Sequence, residues 1–143
     1  MTLTQQERAY AAEGASLSRE PSEEIQVDDE SATFAAGRMI DWWQELHGRR
    51  ESGLRARRVE VHRHAPQRRA GVAARRGDMG HIEVPGDTVS LRVLCHEVAH
   101  ILTPSDRHGE TWARVYLELV YRFEGSEAFV ALHEEFIRQE VQF

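Results

Sequence analysis

The sequence of 143 residues contains no lysine and no asparagine, and its one cysteine is Cys95. One cysteine excludes a disulfide within the chain and gives no indication of an oxidising compartment. No stretch reaches the roughly 18 consecutive apolar residues that a membrane-spanning helix needs, and the N-terminus lacks the basic and apolar regions of a secretory signal peptide. We therefore expect a cytoplasmic protein without a membrane partner.

The length and a hydrophobic content of 41% suit one compact domain, since domains most often contain about 100 to 150 residues. We therefore predict a single domain over residues 1–143. The formal net charge is -6 and all 18 basic residues are arginine. Residues 49–76 are rich in these arginines. Such a stretch is either a solvated, charge-balanced surface or a surface for nucleic acid or an acidic partner.

Residues 14–30 are polar and acidic, with Gly14, Pro21 and only isolated apolar positions. This composition predicts a loop or a mobile acidic arm. Ordered structure is expected from Ser31, which can cap a helix that ends at Gly48. The apolar residues of this segment recur at helical spacing and are Ala35, Met39, Trp42, Trp43 and Leu46.

Between residues 57 and 85 the apolar period changes to two, which indicates β-strands. Three short strands are predicted around Val59 and Val61, around Val72, and over Gly80–Val84. The turn residues in 67–70 and 77–80 favour two antiparallel connections. Pro85 indicates that the third strand ends there or lies at a sheet edge, because proline cannot donate to a ladder.

Three further helices are predicted after the strands. The first runs over residues 88–102, with Asp87 or Thr88 as its cap, and Pro104 follows its end. The second runs over residues 109–124, and the last carries the apolar residues Phe129, Leu132, Phe136 and Ile137. The order of one helix, three strands and three helices predicts an α+β fold, with a short, largely antiparallel sheet and about four helices.

The predicted helix 88–102 contains the motif His96-Glu97-Val98-Ala99-His100, an H-E-x-x-H sequence. At about 100° per residue the two histidines leave one face of the helix with Cβ atoms roughly 5 to 6 Å apart. That spacing suits two nitrogen ligands on one Zn²⁺ ion. Glu97 falls beside the pair, where its carboxylate can act as a general base toward a water molecule.

The opposite side of this helix is apolar and includes Cys95, which predicts an inert, buried thiol. With seven residues between, His108-Gly109 follows His100, and Trp112 stands in the next predicted helix. A second His shortly after the motif strengthens the prediction of a metal site. Asp106 and Glu110 are alternative donors for a third ligand.

The run LCHEVAHILTPSDRHGETW, residues 94–112, resembles the H-E-x-x-H … H-G-x-x-[FW] signature of SprT-like and related minimal zincins. It is most similar to small actinobacterial and phage metallohydrolases. The resemblance covers residues 82–123, with a weaker similarity at residues 8–13. It implies a minimal zincin domain in which His96, His100 and His108 hold zinc, Glu97 is catalytic and Trp112 packs under the metal site.

Two departures limit what the resemblance implies. SprT proteins usually carry a cysteine-based zinc ribbon, which a chain with Cys95 alone cannot form. The interval between His100 and His108 is also shorter than in SprT. The DNA-repair role of SprT-like proteases is therefore not transferred to this chain.

These observations predict a zinc-dependent metallopeptidase that acts on a peptide or protein substrate, with the strand Gly80–Val84 as the edge of its cleft. Two alternatives are a zinc-stabilised binding module without enzymatic activity and a nucleic-acid-associated protease that uses the arginine-rich segment. A donor for the oxyanion is expected among Tyr116, Arg107 and His81. Histidine ligands could also hold nickel, cobalt or iron. The sequence gives no oligomeric state.

Overall fold

The computed structural model describes residues 2–48, 58–63, 72–76 and 78–143. Within these residues the chain forms helices and short strands, so the predicted α+β class is confirmed. The helices are α1 (Gln5–Arg19), α2 (Ser31–His47), α3 (Leu91–Leu102), α4 (Glu110–Glu124) and α5 (Ser126–Arg138). The strands are β1 (Glu24–Gln26), β2 (Arg58–Arg63), β3 (Val72–Arg76), β4 (Met79–Val84) and β5 (Thr88–Ser90).

The three predicted strands form one sheet, but its order and directions differ from the prediction. The order is β2-β4-β3, with β4 parallel to β2 and antiparallel to β3. The predicted third strand is therefore central, and within the described residues β2 and β3 are the outer strands. Alternation reveals a strand and its buried face, but it does not identify the neighbouring strand. The turn predicted at 67–70 lies outside the described residues.

One face of the sheet packs against the helices. Val59 and Val61 of β2 and Ile82 and Val84 of β4 are buried, as their alternation predicted. Gly80 lies on the same face, where an added Cβ would come within 3.0 Å of Cγ2 of Ile101 in α3. The missing side chain therefore lets the central strand and α3 lie close together.

The helix with the two motif histidines runs through the core. Ten of the twelve residues of α3 are buried, and the helix contacts α2, α4, β3, β4 and β5. It begins at Leu91, later than predicted, because residues 88–90 form β5, which pairs antiparallel with β1. Its N-cap is Ser90, whose Oγ accepts a hydrogen bond of 3.0 Å from the Val93 amide. This burial fixes the direction in which the motif side chains point.

The prediction of a loop or mobile arm over residues 14–30 is wrong for residues 14–19 and 24–26. Residues 14–19 complete α1, which begins with a capping box between Thr4 and Glu7, and residues 24–26 form β1. The helix packs against α5, and Arg19 Nη1 donates to Glu135 Oε1 at 3.0 Å. The buried apolar residues of α1 are the alanines Ala9 and Ala12. Small side chains and polar contacts hold this helix, so it lacks the apolar stripe that would have marked it.

The arginine-rich segment 49–76 is described only over residues 58–63 and 72–76. Arg58 and Arg63 of β2 are exposed there. The predicted role of the segment toward nucleic acid therefore stays a prediction. Among the described helices, none combines the length and the apolar character that crossing a membrane requires.

Candidate metal centre

Three imidazoles converge between α3 and the start of α4. His96 and His100 lie one turn apart on α3, and His108 lies just before α4. The Nε2 atom of His108 is 3.1 Å from Nε2 of His100 and 3.4 Å from Nε2 of His96. Donors placed tetrahedrally about 2.0 to 2.1 Å from one Zn²⁺ ion would be roughly 3.3 Å apart. The cluster can therefore hold a metal ion.

The position of His108 depends on the turn between the two helices. Asp106 Oδ2 accepts a hydrogen bond of 2.8 Å from the Trp112 amide in the first turn of α4. A Cβ on Gly109 would lie 2.5 Å from Oδ1 of the same carboxylate. The glycine after His108 is therefore needed for Asp106 to reach and cap the helix. This contact explains the His-Gly pair in physical terms.

The alternative third ligands do not join the cluster. Asp106 is engaged in capping α4, and Glu110 is an exposed residue in the first turn of that helix. In the described part of the chain, His108 is the only other residue whose ligand atom groups with those of His96 and His100. Of the three candidates for the third position, the geometry favours His108.

Trp112 packs against all three histidines. Its indole is fully buried and donates from Nε1 to the carbonyl oxygen of His96 at 3.2 Å. The ring stacks on His100, with centroids 5.1 Å apart, and presents an edge contact to His96 at 4.8 Å and to His108 at 4.6 Å. One rigid aromatic residue thus restricts the rotamers of the whole cluster.

A carboxylate from α1, which the sequence did not single out, supports the cluster. Glu13 Oε1 accepts a hydrogen bond of 2.9 Å from His96 Nδ1 and one of 2.6 Å from the Tyr116 hydroxyl. A carboxylate can only accept from the imidazole, so Nδ1 carries the proton and the Nε2 lone pair faces the cluster. No local motif marks Glu13; the weak similarity at residues 8–13 was the only signal.

The ion pair between these groups controls their protonation. Burial opposes the charge on Glu13, but His96 and the Tyr116 hydroxyl outweigh it and lower the pKa of the carboxyl. Burial also acts to lower the pKa of His96, and the charge and hydrogen bond of Glu13 raise it overall. Glu13 is therefore a charged acceptor that holds the His96 ring in one orientation.

The other two histidines are neutral at physiological pH. Burial, followed by the charge of His96, lowers the pKa of His100 to about 3. The same two causes lower the pKa of His108 to about 4. Metal ions bind the neutral form of imidazole, so protons compete little for these two ligands near pH 7.

Glu97 lies beside the cluster with its side chain almost wholly buried. Its Oε1 atom is 3.9 Å from Nε2 of His96. Burial raises the pKa of Glu97 to about 7, with the charge of Glu13 adding to the rise and His96 opposing it. A carboxyl group with a pKa near neutral can both accept and return a proton, as a general base requires.

Solvent reaches the cluster through two cavities that share Tyr10 and Glu97 in their walls. One, of about 470 Å³, also contacts His100, His108 and Ala73 of β3. The other, of about 670 Å³, lies on the side of His96. The Tyr10 ring is stacked 5.4 Å from His96 and lies 5.3 Å from His108, and it is 38% exposed. Tyr10 therefore stands over the cluster between the two openings.

The fold places the three predicted oxyanion donors in different parts of the molecule. Tyr116 is fully buried and donates its hydroxyl to Glu13, and His81 lies on the face of the sheet away from α3. Only Arg107 borders a cavity at the cluster. Tyr10 borders both cavities and was missed, because it belongs to the helix that the sequence did not reveal.

Cys95 lies in the core, as predicted. The thiol is fully buried and free, and burial raises its pKa well above the usual range. The adjacent Arg92 is also buried and donates from Nε to Glu124 Oε2 at 2.9 Å and from Nη1 to Ser16 Oγ at 3.2 Å. These contacts tie α1 and α4 to α3 and so hold in place the helix that carries two histidines of the cluster, the candidate metal centre.

Comparisons of the chain with protein-family models, with curated proteins and with solved structures gave no match. What the chain does must therefore be inferred from its own site: three converging histidines that could hold a metal ion, with a buried carboxyl group beside them.

Proposed function

We propose that the protein is a zinc-dependent hydrolase of the zincin type that cleaves peptide bonds. The observation that carries the proposal is the position of the Glu97 carboxylate beside three converging imidazole nitrogens. Three histidines, with Nε2 of His108 3.1 Å from Nε2 of His100 and 3.4 Å from Nε2 of His96, match the nitrogen donors and the tetrahedral geometry that zinc prefers, with one corner left for a substrate or water.

Glu97 is the general base of the proposed reaction. When bound, a zinc ion would supply a Lewis acid that polarises the substrate carbonyl and acidifies a water molecule. The Glu97 carboxylate, 3.9 Å from the ligand atom of His96, would take the proton of the attacking water and pass it to the departing amine. Its pKa of about 7 suits both transfers.

Tyr10 is the proposed donor to the oxygen on which negative charge develops. Its phenol stands over His96 and His108, and it shares the walls of both cavities with Glu97. A hydroxyl held at such a position can donate a hydrogen bond that strengthens as the carbonyl oxygen becomes an anion. Arg107, on the His100 side, is the second candidate for this role.

The sheet favours an extended peptide as the substrate. Ala73 and Ala74 of the outer strand β3 form part of the cavity wall next to Glu97 and His100. Small side chains leave room for a peptide to run along this strand and to hydrogen-bond to its outer edge. The cleft edge is thus proposed to be β3 and not the strand Gly80–Val84.

The test compares three purified proteins: wild type, Glu97→Gln and the exposed control Glu110→Gln. Zinc content is measured by elemental analysis, and cleavage of a peptide library digested from a bacterial proteome is followed by mass spectrometry. We expect Glu97→Gln to hold as much zinc as wild type and to lose about 100-fold or more in cleavage rate. We expect Glu110→Gln to match wild type in both measurements.

Two results would count against the proposal. Cleavage by Glu97→Gln at the wild-type rate would remove the proposed role of this carboxylate. A zinc-loaded wild type that cleaves none of the peptides would favour a binding module in which the metal only stabilises the fold.

A further inference from the structure

A second group of metal-binding side chains lies on the sheet face that points away from α3. Glu60 and His62 belong to β2, and His81 belongs to β4, directly opposite Glu60 in the parallel register. The neighbouring residues Val59, Val61 and Ile82 point to the buried face. Strand alternation therefore directs all three polar side chains to one side. We call Glu60, His62 and His81 the sheet triad.

The donor atoms of the sheet triad are already close. His62 Nε2 is 2.9 Å from Glu60 Oε2, and one donor atom from each of the three residues lies within 4.8 Å of the others. The side chains of His62 and Glu60 are 57% and 46% exposed, so they can rotate. The backbone positions are fixed by strand pairing, and side-chain rotation alone can bring the donors to a shared ion.

We propose that the sheet triad is a second metal site, specific for divalent transition ions such as zinc, nickel and copper. Imidazole nitrogens favour these ions, whereas calcium and magnesium require oxygen ligands throughout. The Glu60 carboxylate adds a negative charge that complements the ion. The exposed ligands of the triad leave coordination positions for water, so the triad should bind a metal ion more weakly than a buried site does.

The inference does not rest on the proposed hydrolase. Gly80 of β4 faces Ile101 of α3, whereas its neighbour His81 faces the other way. The sheet thus separates the triad from the metal centre. An ion at the triad would join β2 to β4, the parallel pair of the sheet, and should raise the thermal stability of the folded protein.

The experiment counts zinc ions bound per chain by equilibrium dialysis at pH 7.5. Full-length wild type is compared with the double variant His62→Ala, His81→Ala and with His133→Ala, which removes a histidine far along the chain in α5. We expect the double variant to bind one zinc fewer than wild type and His133→Ala to bind the same number. We call the zinc ion that the double variant lacks the additional zinc. Nickel and copper should displace it, while calcium and magnesium should not.

A further variant separates this site from the metal centre. His100→Ala should keep the additional zinc, whatever happens at His96 and His108. Should the double variant fail to fold, Glu60→Gln preserves the shape of the triad and should weaken binding of the additional zinc by about tenfold or more. Equal zinc content in wild type and the folded double variant would overturn the proposal, as would unchanged affinity in Glu60→Gln.

Discussion

The histidine cluster, which is the proposed metal centre, and the sheet triad each bring three donors together, but the two sets of donors are held in different ways. His96 is 2% exposed and is fixed by Trp112 and by the carboxylate of Glu13. In the triad, His62 is mostly exposed and hydrogen-bonds to Glu60, which is another donor of the same site. Ligands already held in place lose less conformational entropy on binding, so the metal centre should bind zinc more tightly.

Burial also changes the acid-base chemistry of the two sites. At the metal centre, desolvation lowers the pKa of His100 and raises the pKa of Glu97. In the triad, the hydrogen bond from His62 lowers the pKa of Glu60, despite a smaller opposing effect of burial. A carboxyl group with a pKa near 7 therefore occurs beside the buried cluster. The exposed site can bind an ion, but Glu60 is a poor general base.

The largest expected effect is the loss of a ligand from the metal centre. His100→Ala should weaken the tightest zinc site by on the order of 1000-fold, because two histidines cannot replace three. Competition with a chromophoric zinc chelator measures this affinity. His81→Ala is the matched control and should leave the tightest site unchanged. Equal losses in the two variants would show that the clusters do not act independently.

A smaller effect is expected from the residue that orients His96. Glu13→Gln keeps an oxygen acceptor but removes the charge, and we expect zinc affinity at the metal centre to fall about 10- to 100-fold. The same chelator competition measures the change. The exposed Glu134→Gln should bind zinc as wild type does. If Glu13→Gln also bound zinc with wild-type affinity, the preorganisation that distinguishes the two clusters would not depend on this carboxylate.

The strand that separates the two sites gives the third prediction. Gly80→Ala would place a methyl group against the buried side chain of Ile101, and we expect a loss of about 1 to 2 kcal/mol in the free energy of unfolding. Urea denaturation measures the loss. Gly37→Ala in α2, where an added Cβ meets nothing within 4 Å, should not destabilise the protein. Destabilisation by Gly37→Ala alone would contradict the close packing of Gly80 against Ile101.

The last prediction concerns the pH dependence of the stability of the metal-free protein. The pKa values of about 3 for His100 and about 4 for His108 lie below the ordinary value near 6.5. The unfolded chain therefore takes up protons first, and the stability that these groups contribute falls as the pH drops from about 6.5 toward 4.

Urea denaturation at pH 7.5 and pH 5 tests this sign. Metal-free wild type should lose more stability between these values than the double variant His100→Gln, His108→Gln. An equal loss in both proteins would mean that the two histidines are not buried in their neutral form when the metal is absent.

Helices α2 to α5 and the two histidines of α3 were accessible from the sequence because their signals are local. The spacing of His96 and His100 is a property of one helix turn, and apolar residues of the same helix such as Leu94 and Val98 indicated which side of α3 is buried. The predicted end of α2 at Gly48 agrees with the φ of 72° at this residue, a conformation that glycine adopts easily.

The residues that the sequence did not reveal are those that act across the fold. Glu13 reaches His96 over a separation of 83 residues, and Tyr10 lies on a helix whose buried apolar residues are alanines. The strand Gly80–Val84 was predicted as the edge of the cleft and is central in the sheet. This error has the same origin, because alternation indicates a buried face but not a neighbouring strand.

The sequence by itself determined the α+β class, the histidine pair on one helix face and the neighbouring glutamate, since helical and strand periods and motif spacing are short-range. Only the tertiary structure decided that His108 completes the cluster, that Glu13 and Tyr10 contact it and that β3 is an outer strand of the described sheet, beside a cavity at the cluster. Those relations join segments far apart in the chain, and they are set by packing and by buried polar contacts that no local pattern encodes.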